Sequence, residues 1–558
     1  MAWRAWGRIF AFAGSTLLAA CGSSTVPDAT GGSSSSGGSQ ACSTDVATDQ
    51  TLVSSIVPSV EQVQARQGLA DQYGGGFRIS ADSAEIGYIN RLADELRTLG
   101  ASEVSVEPYT FTGWSAKTTS LQVVQGPSPG PVPVAYFIPQ SGSTGPGGLQ
   151  APLLYFSALS EVNLLGAVYQ ALNQQSIGNV LTAVQAALNG ATSGGVSLAQ
   201  AIASANVAGK IVMYDAPRVD VPIGAFEAIA TYYNNSSGTM GPLTPYSRPF
   251  LDELALVGVI DKALAEAGAK GVIAVIDYPP SSADNSYVPF GGLAIASVPG
   301  LYLDRYTGAA LKQQIVNAGA SPVTVKLTLD ASQGQATSYN VSAIVPGACS
   351  NYILVSSHSD GPNSIEDNGP AVILSIADYF LHAPASQRQR GLKIVFTGGH
   401  FMGSPGIAAY IAAHKTDLLA HALTAIEIEH LGAREWVELS PGTMGLDGLP
   451  EPLVLYAGIG SVQQDENVKF AQQFDRSIVT LPLPFGEGGA WASAGLPKTQ
   501  LISGPVYLLN GPFPAVSSEF TDYALEQRQI GALIQMILDL NTQTDASLLA
   551  DKNLPNLP

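Results

Sequence analysis

Between residues 337 and 540, short apolar runs alternate with helical patterns. That alternation restricts the fold more than any other feature of the chain. Strand candidates are 352–355, 392–396, 425–429 and 498–502, with helices such as 371–381 between them. Strands that alternate with helices predict an α/β domain built on a doubly wound, mostly parallel sheet.

Such a sheet has a preferred working edge. Ligands of open α/β sheets bind in the crevice beyond the carboxyl ends of the strands. In this sequence, polar residues collect there. His358 follows the first strand, and "TGGH" places His400 after the second. Glu429 and His430 end the third, and "FGEGG", which contains Glu487, precedes the fourth. The stretch "EDNGPAVIL" has the form of a helix start, with Pro370 at a favoured first-turn position. Asp367 stands just before it, where exposed amides and the helix dipole favour a carboxylate. The same position is well placed to face a cation beyond the sheet edge. Adjacent strand residues point to opposite faces, so Glu429 and His430 are not expected to reach one ion, and His430 is read as structural. His400 is a fourth ligand, a base working near neutral pH, or a structural histidine. His382, His414 and His421 fall on predicted helical surfaces. No Gly-x-Ser-x-Gly elbow stands beside a partner histidine, and "FMGSPG" has the wrong spacing, which disfavours a serine hydrolase.

The rest of the chain divides by composition. "SAEIGYINRLADELRTLG" repeats apolar residues at helical spacing and stops at Gly100, and "SEVSVEPYTFTGW" alternates like a strand. From about residue 122, Gly, Pro and Ser become dense. "GKIVMYDAP" and "AKGVIAVIDYPP" read as short buried strands, and "VPGLYLDRYTGAALKQQI" adds a strand and a helix. A net charge of -19 argues against a nucleic-acid partner, which requires basic surface.

At the N-terminus, Arg4 and Arg8 precede an apolar run too short to span a membrane, and the run ends in Leu18-Ala19-Ala20-Cys21. This order resembles the lipobox of bacterial lipoproteins, which implies an acylated Cys21. Gly22 in place of Asp favours the outer membrane. A Gly/Ser-rich tether follows. No later run is long and apolar enough to cross a membrane, so contact with a membrane is expected through the lipid alone. Cys42 and Cys349 then remain, as a disulfide in an exported protein or as two reduced, buried thiols.

"HSD…EDNGPAVILSIADYF", with "YNVSAIVPG" before it, resembles the metal-binding core of the co-catalytic zinc aminopeptidases, the group that includes aminopeptidase Y and glutamate carboxypeptidase II. The segment to about residue 333 resembles the β-rich protease-associated domain inserted in many exported peptidases, with an Ala-rich helical insertion at 164–207. The implied organisation is a signal peptide (1–20), a tether (21–50), a first part of the peptidase-like domain (51–121), the protease-associated domain (122–333), and the peptidase-like α/β domain (334–558). By the same resemblance His358 binds metal, Asp360 orients it, Asp367 is the carboxylate before the helix, and Glu429 is the later carboxylate ligand. Two positions depart from the pattern. "GGHF" puts His400 where the family has its general base and Phe401 where it has a ligand of the second metal. "VYLLN" puts Leu508 where the family has that metal's histidine. The resemblance therefore implies a single zinc held by His358, Asp367 and Glu429. Two functional readings follow: a single-metal hydrolase of peptide or amide bonds, with His400 shuttling the proton, or a non-catalytic surface module that binds a peptide or protein.

Metabolic labelling with a fatty acid is expected to mark the wild-type protein and to miss Cys21→Ala. Equal labelling of the two would remove the lipoprotein assignment.

Overall fold

The structure is a computed structural model, and it describes residues 49–161, 196–218, 220–252, 257–288, 298–480, 486–511 and 519–550. Four strands run parallel at its centre. In spatial order they are β9 (Gly391–Thr397), β8 (Tyr352–His358), β10 (Ala422–Ile428) and β13 (Lys498–Ser503). Every residue of β8 and β10 is buried. Burial on both faces explains why these strands read as continuous apolar runs. Each lengthens the segment expected from the sequence by a few residues, and β8 carries His358 as its last residue.

Helices cover both faces. On one side α2 (Ser83–Leu99), α5 (Gly369–His382) and α8 (Tyr523–Asn541) enclose the largest part of the core, including Tyr88, Leu92, Val372, Ile376, Leu533 and Ile537. On the other, α6 (Pro405–His421) packs Ile407, Tyr410 and Leu418 with Trp491 against Leu354, Val395 and Ala425. The boundaries of α2 follow from local chemistry. Asp82 accepts a hydrogen bond from the Glu85 amide at 2.7 Å, and Gly100 ends the helix in the left-handed conformation, at φ +94°. Among the described residues, no helix is long and apolar enough to cross a membrane.

Two long strands link this core to the inserted segment. β1 (Ser102–Gln125) and β7 (Thr324–Val345) pair antiparallel almost end to end, from Ser102 opposite Ile344 to Gln125 opposite Thr324. The sequence pattern indicates only the first half of β1. The ribbon passes through both of the expected boundaries, 121 from composition and 333 from the resemblance. At its core end β7 pairs with β9, and at its far end it pairs with β2 (Leu149–Tyr155). From β2 the sheet continues through β3 (Ile211–Asp215), β5 (Gly271–Val275) and β6 (Gly300–Leu303), all parallel. The helices α3 (Gly258–Glu266) and α4 (Arg305–Ala318) complete this unit. Most of the helical insertion at 164–207 lies outside the described residues.

The inserted segment does not stay apart from the core. β4 (Ala230–Asn234) pairs antiparallel with β12 (Ser477–Thr480), which is the outer neighbour of β11 (Leu453–Ala457) on the core sheet. A buried ion pair between Arg248 and Glu451, 2.6 Å, adds a second clamp. Breaking a pair of this kind by removing one partner costs roughly 3–5 kcal/mol, because the other charge stays buried.

Cys349, between β7 and β8, is disulfide-bonded. Cys42, its expected partner, and Cys21 both lie outside the described residues. Non-reducing peptide mapping is expected to return a Cys42–Cys349 crosslink, which in the chain-entropy picture stabilises the fold by roughly 4–5 kcal/mol for so long a loop. Recovery of both thiols in free form would refute the pairing.

Candidate functional site

The carboxyl ends of β8, β9 and β10 converge on a buried polar cluster. His358 is fully buried at the end of β8. Its Nδ1 donates to the Asp360 carbonyl oxygen at 2.9 Å, because a carbonyl only accepts. The Nε2 lone pair therefore faces the cluster, and it has no hydrogen-bond partner. His430 repeats this arrangement. Its Nδ1 donates to the Ser503 carbonyl at 2.6 Å, and its buried Nε2 has no hydrogen-bond partner. The carboxylate of Glu366 lies between the two rings, 3.5 Å from His358 Nε2 and 3.9 Å from His430 Nε2. One ligand atom from each of His358, Glu366 and His430 lies within 4.8 Å of the other two. Glu429 Oε2 approaches the same rings at 3.9 and 3.8 Å. Its other oxygen accepts from Gln500 Nε2 at 3.1 Å and from the Glu487 amide at 3.2 Å.

Two expectations change here. The first concerns His430. β10 ends at Ile428, and His430 sits in the left-handed region at φ +59°, so strand alternation does not apply to it and its ring turns to the same side as Glu429. Asn368 holds this turn, donating to the Leu431 carbonyl at 2.7 Å and accepting from the Leu431 amide at 3.2 Å. The second concerns the pair Glu366–Asp367. The sequence reading selects Asp367 as ligand, but one oxygen of Asp367 is taken by Arg78 through Nε (2.9 Å) and Nη2. It is the preceding residue, Glu366, that reaches the histidines. Asp360 also differs in detail. It fixes the His358 ring through its main-chain carbonyl, while its carboxylate accepts from the His400 amide at 3.1 Å and from Ser80 Oγ.

His400 stacks flat on His358, with ring centroids 4.1 Å apart and planes inclined by 9°. Its Nδ1 lies 3.5 Å from Glu487 Oε1. Phe401 and Leu508 are buried together with Tyr287, Val288 and Leu509 in an apolar cluster, and Phe401 makes an edge contact with His400. The remaining histidines bind elsewhere. His414 Nε2 meets Glu107 at 2.7 Å, His382 pairs with Asp378, and His421 meets Asn351.

Burial makes charge expensive in this pocket. It lowers the proton affinity of His358 well below the ordinary value, helped by His400 and His430, and brings His430 down to about 3. It raises Glu366 well above the usual carboxylate range, reinforced by Asp367 and Glu429. Glu429 is raised to about 7, again mainly by burial, although the charge of His400 opposes the shift. His400 moves the other way. Burial works against its charge, but Glu487, Glu429 and Asp360 outweigh it and hold the proton on. Two bare imidazole nitrogens and unpaired carboxylate oxygens in a dry pocket fit a divalent cation with mixed nitrogen and oxygen preference, such as zinc. Both imidazoles are oriented by carbonyl groups behind them, as metal-binding histidines commonly are.

No family model and no curated protein matches the sequence. Solved structures do match. An aminopeptidase from Aneurinibacillus sp. strain AM-1 superposes with a TM-score of 0.52 at 14% identity, over 91% of this chain and 97% of that one. A zinc aminopeptidase from Bacillus subtilis gives 0.53 at 15% identity, over 89% and 99%. A peptidase M28 precursor from Shewanella amazonensis gives 0.54 at 18% identity, over 90% and 97%. This protein therefore has the α/β fold of the zinc aminopeptidases.

Gly361 gives the site a direct mutational test. A methyl group on its α-carbon would overlap Glu366 Oε2 and press on Asp367. Gly361→Ala is expected to displace Glu366, to cost roughly 1–3 kcal/mol of stability by overpacking, and to abolish tight zinc binding in a chelator-competition titration. Unchanged zinc affinity would show that Glu366 is not a ligand.

Proposed function

We propose that this protein is an exported, lipid-anchored metallohydrolase that acts on peptide or amide bonds through one zinc ion. The observation that carries this reading is the meeting of His358 Nε2, His430 Nε2 and the Glu366 carboxylate in one buried pocket at the carboxyl edge of the sheet. The fold it shares with zinc aminopeptidases supports the same assignment. His358, Glu366 and His430 hold the ion, and Glu429 lies beside them. This set differs from the one implied by resemblance, because Glu366 reaches both imidazoles while one oxygen of Asp367 is held by Arg78. A zinc bound there supplies Lewis acidity, which polarises a carbonyl and lowers the pKa of water.

The chain's own groups supply the rest. The carbonyls of Asp360 and Ser503 keep both ligand rings in one tautomer. Gln500 and the Glu487 amide hold Glu429 in place. His400 retains a proton against burial because Glu487 stands 3.5 Å from its Nδ1, so this pair is suited to hold and return a proton during amide cleavage. The apolar cluster around Phe401 and Leu508 excludes water from the neighbouring space. We place the protein at the cell envelope, anchored through Cys21, with a peptide or protein as substrate.

One observation favours a second reading. The ligands and His400 are all buried, and Tyr287 of the inserted segment packs 5.8 Å from Phe401, centroid to centroid. A site enclosed in this way also suits a non-catalytic module whose ion has a structural role.

Elemental analysis of the purified protein is expected to find about one zinc per chain, lost in His358→Ala and in His430→Ala. Hydrolysis of a peptide library is expected to require that zinc and to fall by about 100-fold or more in His400→Ala. Two ions per chain would overturn the single-metal reading. One ion without cleavage of any peptide would leave the structural-ion module.

A further inference from the structure

Arg78 is fully buried, and all three nitrogens of its guanidinium are engaged. Nε and Nη2 both donate to Asp367 Oδ2, while Nη1 donates to the carbonyls of Ala70 (2.6 Å) and Tyr73 (3.4 Å). The group lies over the ring of Tyr88, 4.7 Å from its centroid. The backbone is fixed as well. The Arg78 amide donates to the Gly361 carbonyl at 2.8 Å, and the Gly361 amide donates back at 2.9 Å. Arg78 is thereby pinned to Gly361, three residues after His358, with its guanidinium on Asp367. An arginine held on every side has no freedom to follow a substrate, and a guanidinium does not lose its proton in a protein. Asp367 keeps one buried oxygen, Oδ1, with no hydrogen-bond partner.

We propose that Arg78 is a built-in cation that offsets the charge of Asp367 beside the metal site and thereby limits how strongly the site binds a divalent ion. The proposal rests on reading His358, Glu366 and His430 as a metal site. The chemistry is a competition between two cations for one carboxylate. Asp367 follows Glu366 immediately in sequence, and the two feel each other's charge. With Arg78 in place, Asp367 is already neutralised, and an incoming divalent ion meets a positive charge behind it. Without Arg78, the carboxylate turns its full charge toward the ion. Arg78 is on this view a positioning residue with a specificity role, since it sets the charge that the pocket presents to cations.

The test is a zinc titration of the full mature chain, stripped of metal by a chelator and read in competition with a chromophoric chelator, so that no activity is needed. Arg78→Met is expected to tighten zinc binding by about tenfold or more, because one like charge is removed and one carboxylate released at short range. Arg78→Met combined with Asp367→Asn removes both charges and is expected to stay within about threefold of wild type. A buried ion pair with only a structural role would change thermal stability in these variants and leave zinc affinity alone. If Arg78→Met does not fold, the comparison of Asp367→Asn with the double variant reads the same charge, and the single variant is expected to bind about tenfold more weakly. Equal zinc affinity in wild type and Arg78→Met, or in that second pair, overturns the inference while leaving the metal site standing. No zinc bound by the wild type would instead defeat the metal-site reading itself.

Discussion

Carboxylates gathered in a dry pocket repel each other and cannot stay charged without cations or hydrogen-bond donors nearby. Asp360, Glu366, Asp367, Glu429 and Glu487 are all buried at one edge of this sheet. Much of the local architecture answers that constraint. Ser80 and the His400 amide serve Asp360, Arg78 serves Asp367, Gln500 serves Glu429, and Thr397 serves Glu487. Glycines let the backbone come close enough for this to work. At Gly361 and Gly486 a side chain would collide with the carboxylates of Glu366 and Glu429. Glu366 is the member of the group whose neighbours are two bare imidazoles rather than donors. The arrangement is internally consistent once a cation stands among them.

The inserted segment takes part in this environment. Tyr287 and Val288 pack on Phe401, Leu508 and Leu509, so a distant part of the chain forms one wall next to the polar cluster. β4 and the Arg248–Glu451 pair hold the same segment to the far side of the core. Core and insert are thus clamped at opposite ends of the sheet, and the cluster lies between the clamps. A change in how the insert is seated would reach the site through aromatic contacts.

The α/β pattern and the polar strand ends were legible in the sequence because both follow from short-range periodicity. His358, Glu429 and His400 could be placed at one edge on that basis, and the structure brings all three together. The parts that were not legible have physical reasons. His430 escaped because a left-handed residue breaks the two-residue period, and no local feature announces it. Glu366 and Asp367 are adjacent carboxylates, and Arg78, from a segment far away in the chain, binds the second of them while the first faces the histidines. Nothing in "FRIS" signals that role. The length of β1 was hidden because its second half, past Trp114, mixes Ser, Thr, Lys and apolar residues without clean alternation. β4 could not be assigned to the core sheet from composition, since edge pairing is a tertiary choice.

The ribbon of β1 and β7 has a consequence for how the chain acquires its structure. Its strands are separated in sequence by the whole inserted segment, and Gln125 meets Thr324 at the end of the ribbon farthest from the core. The entropy lost in bringing such distant residues together is recovered only after many contacts form. A compact insert shortens the effective loop, because β2, β3, β5 and β6 hold the two far ends of the ribbon near each other. Contacts within the insert are closed over shorter stretches of chain than the ribbon itself, and at the core end of the ribbon β7 forms the edge on which β9 pairs. The half of the molecule that carries His358, Glu366 and His430 is thus joined to its sheet through a ribbon whose far end is held by the half that carries none of them.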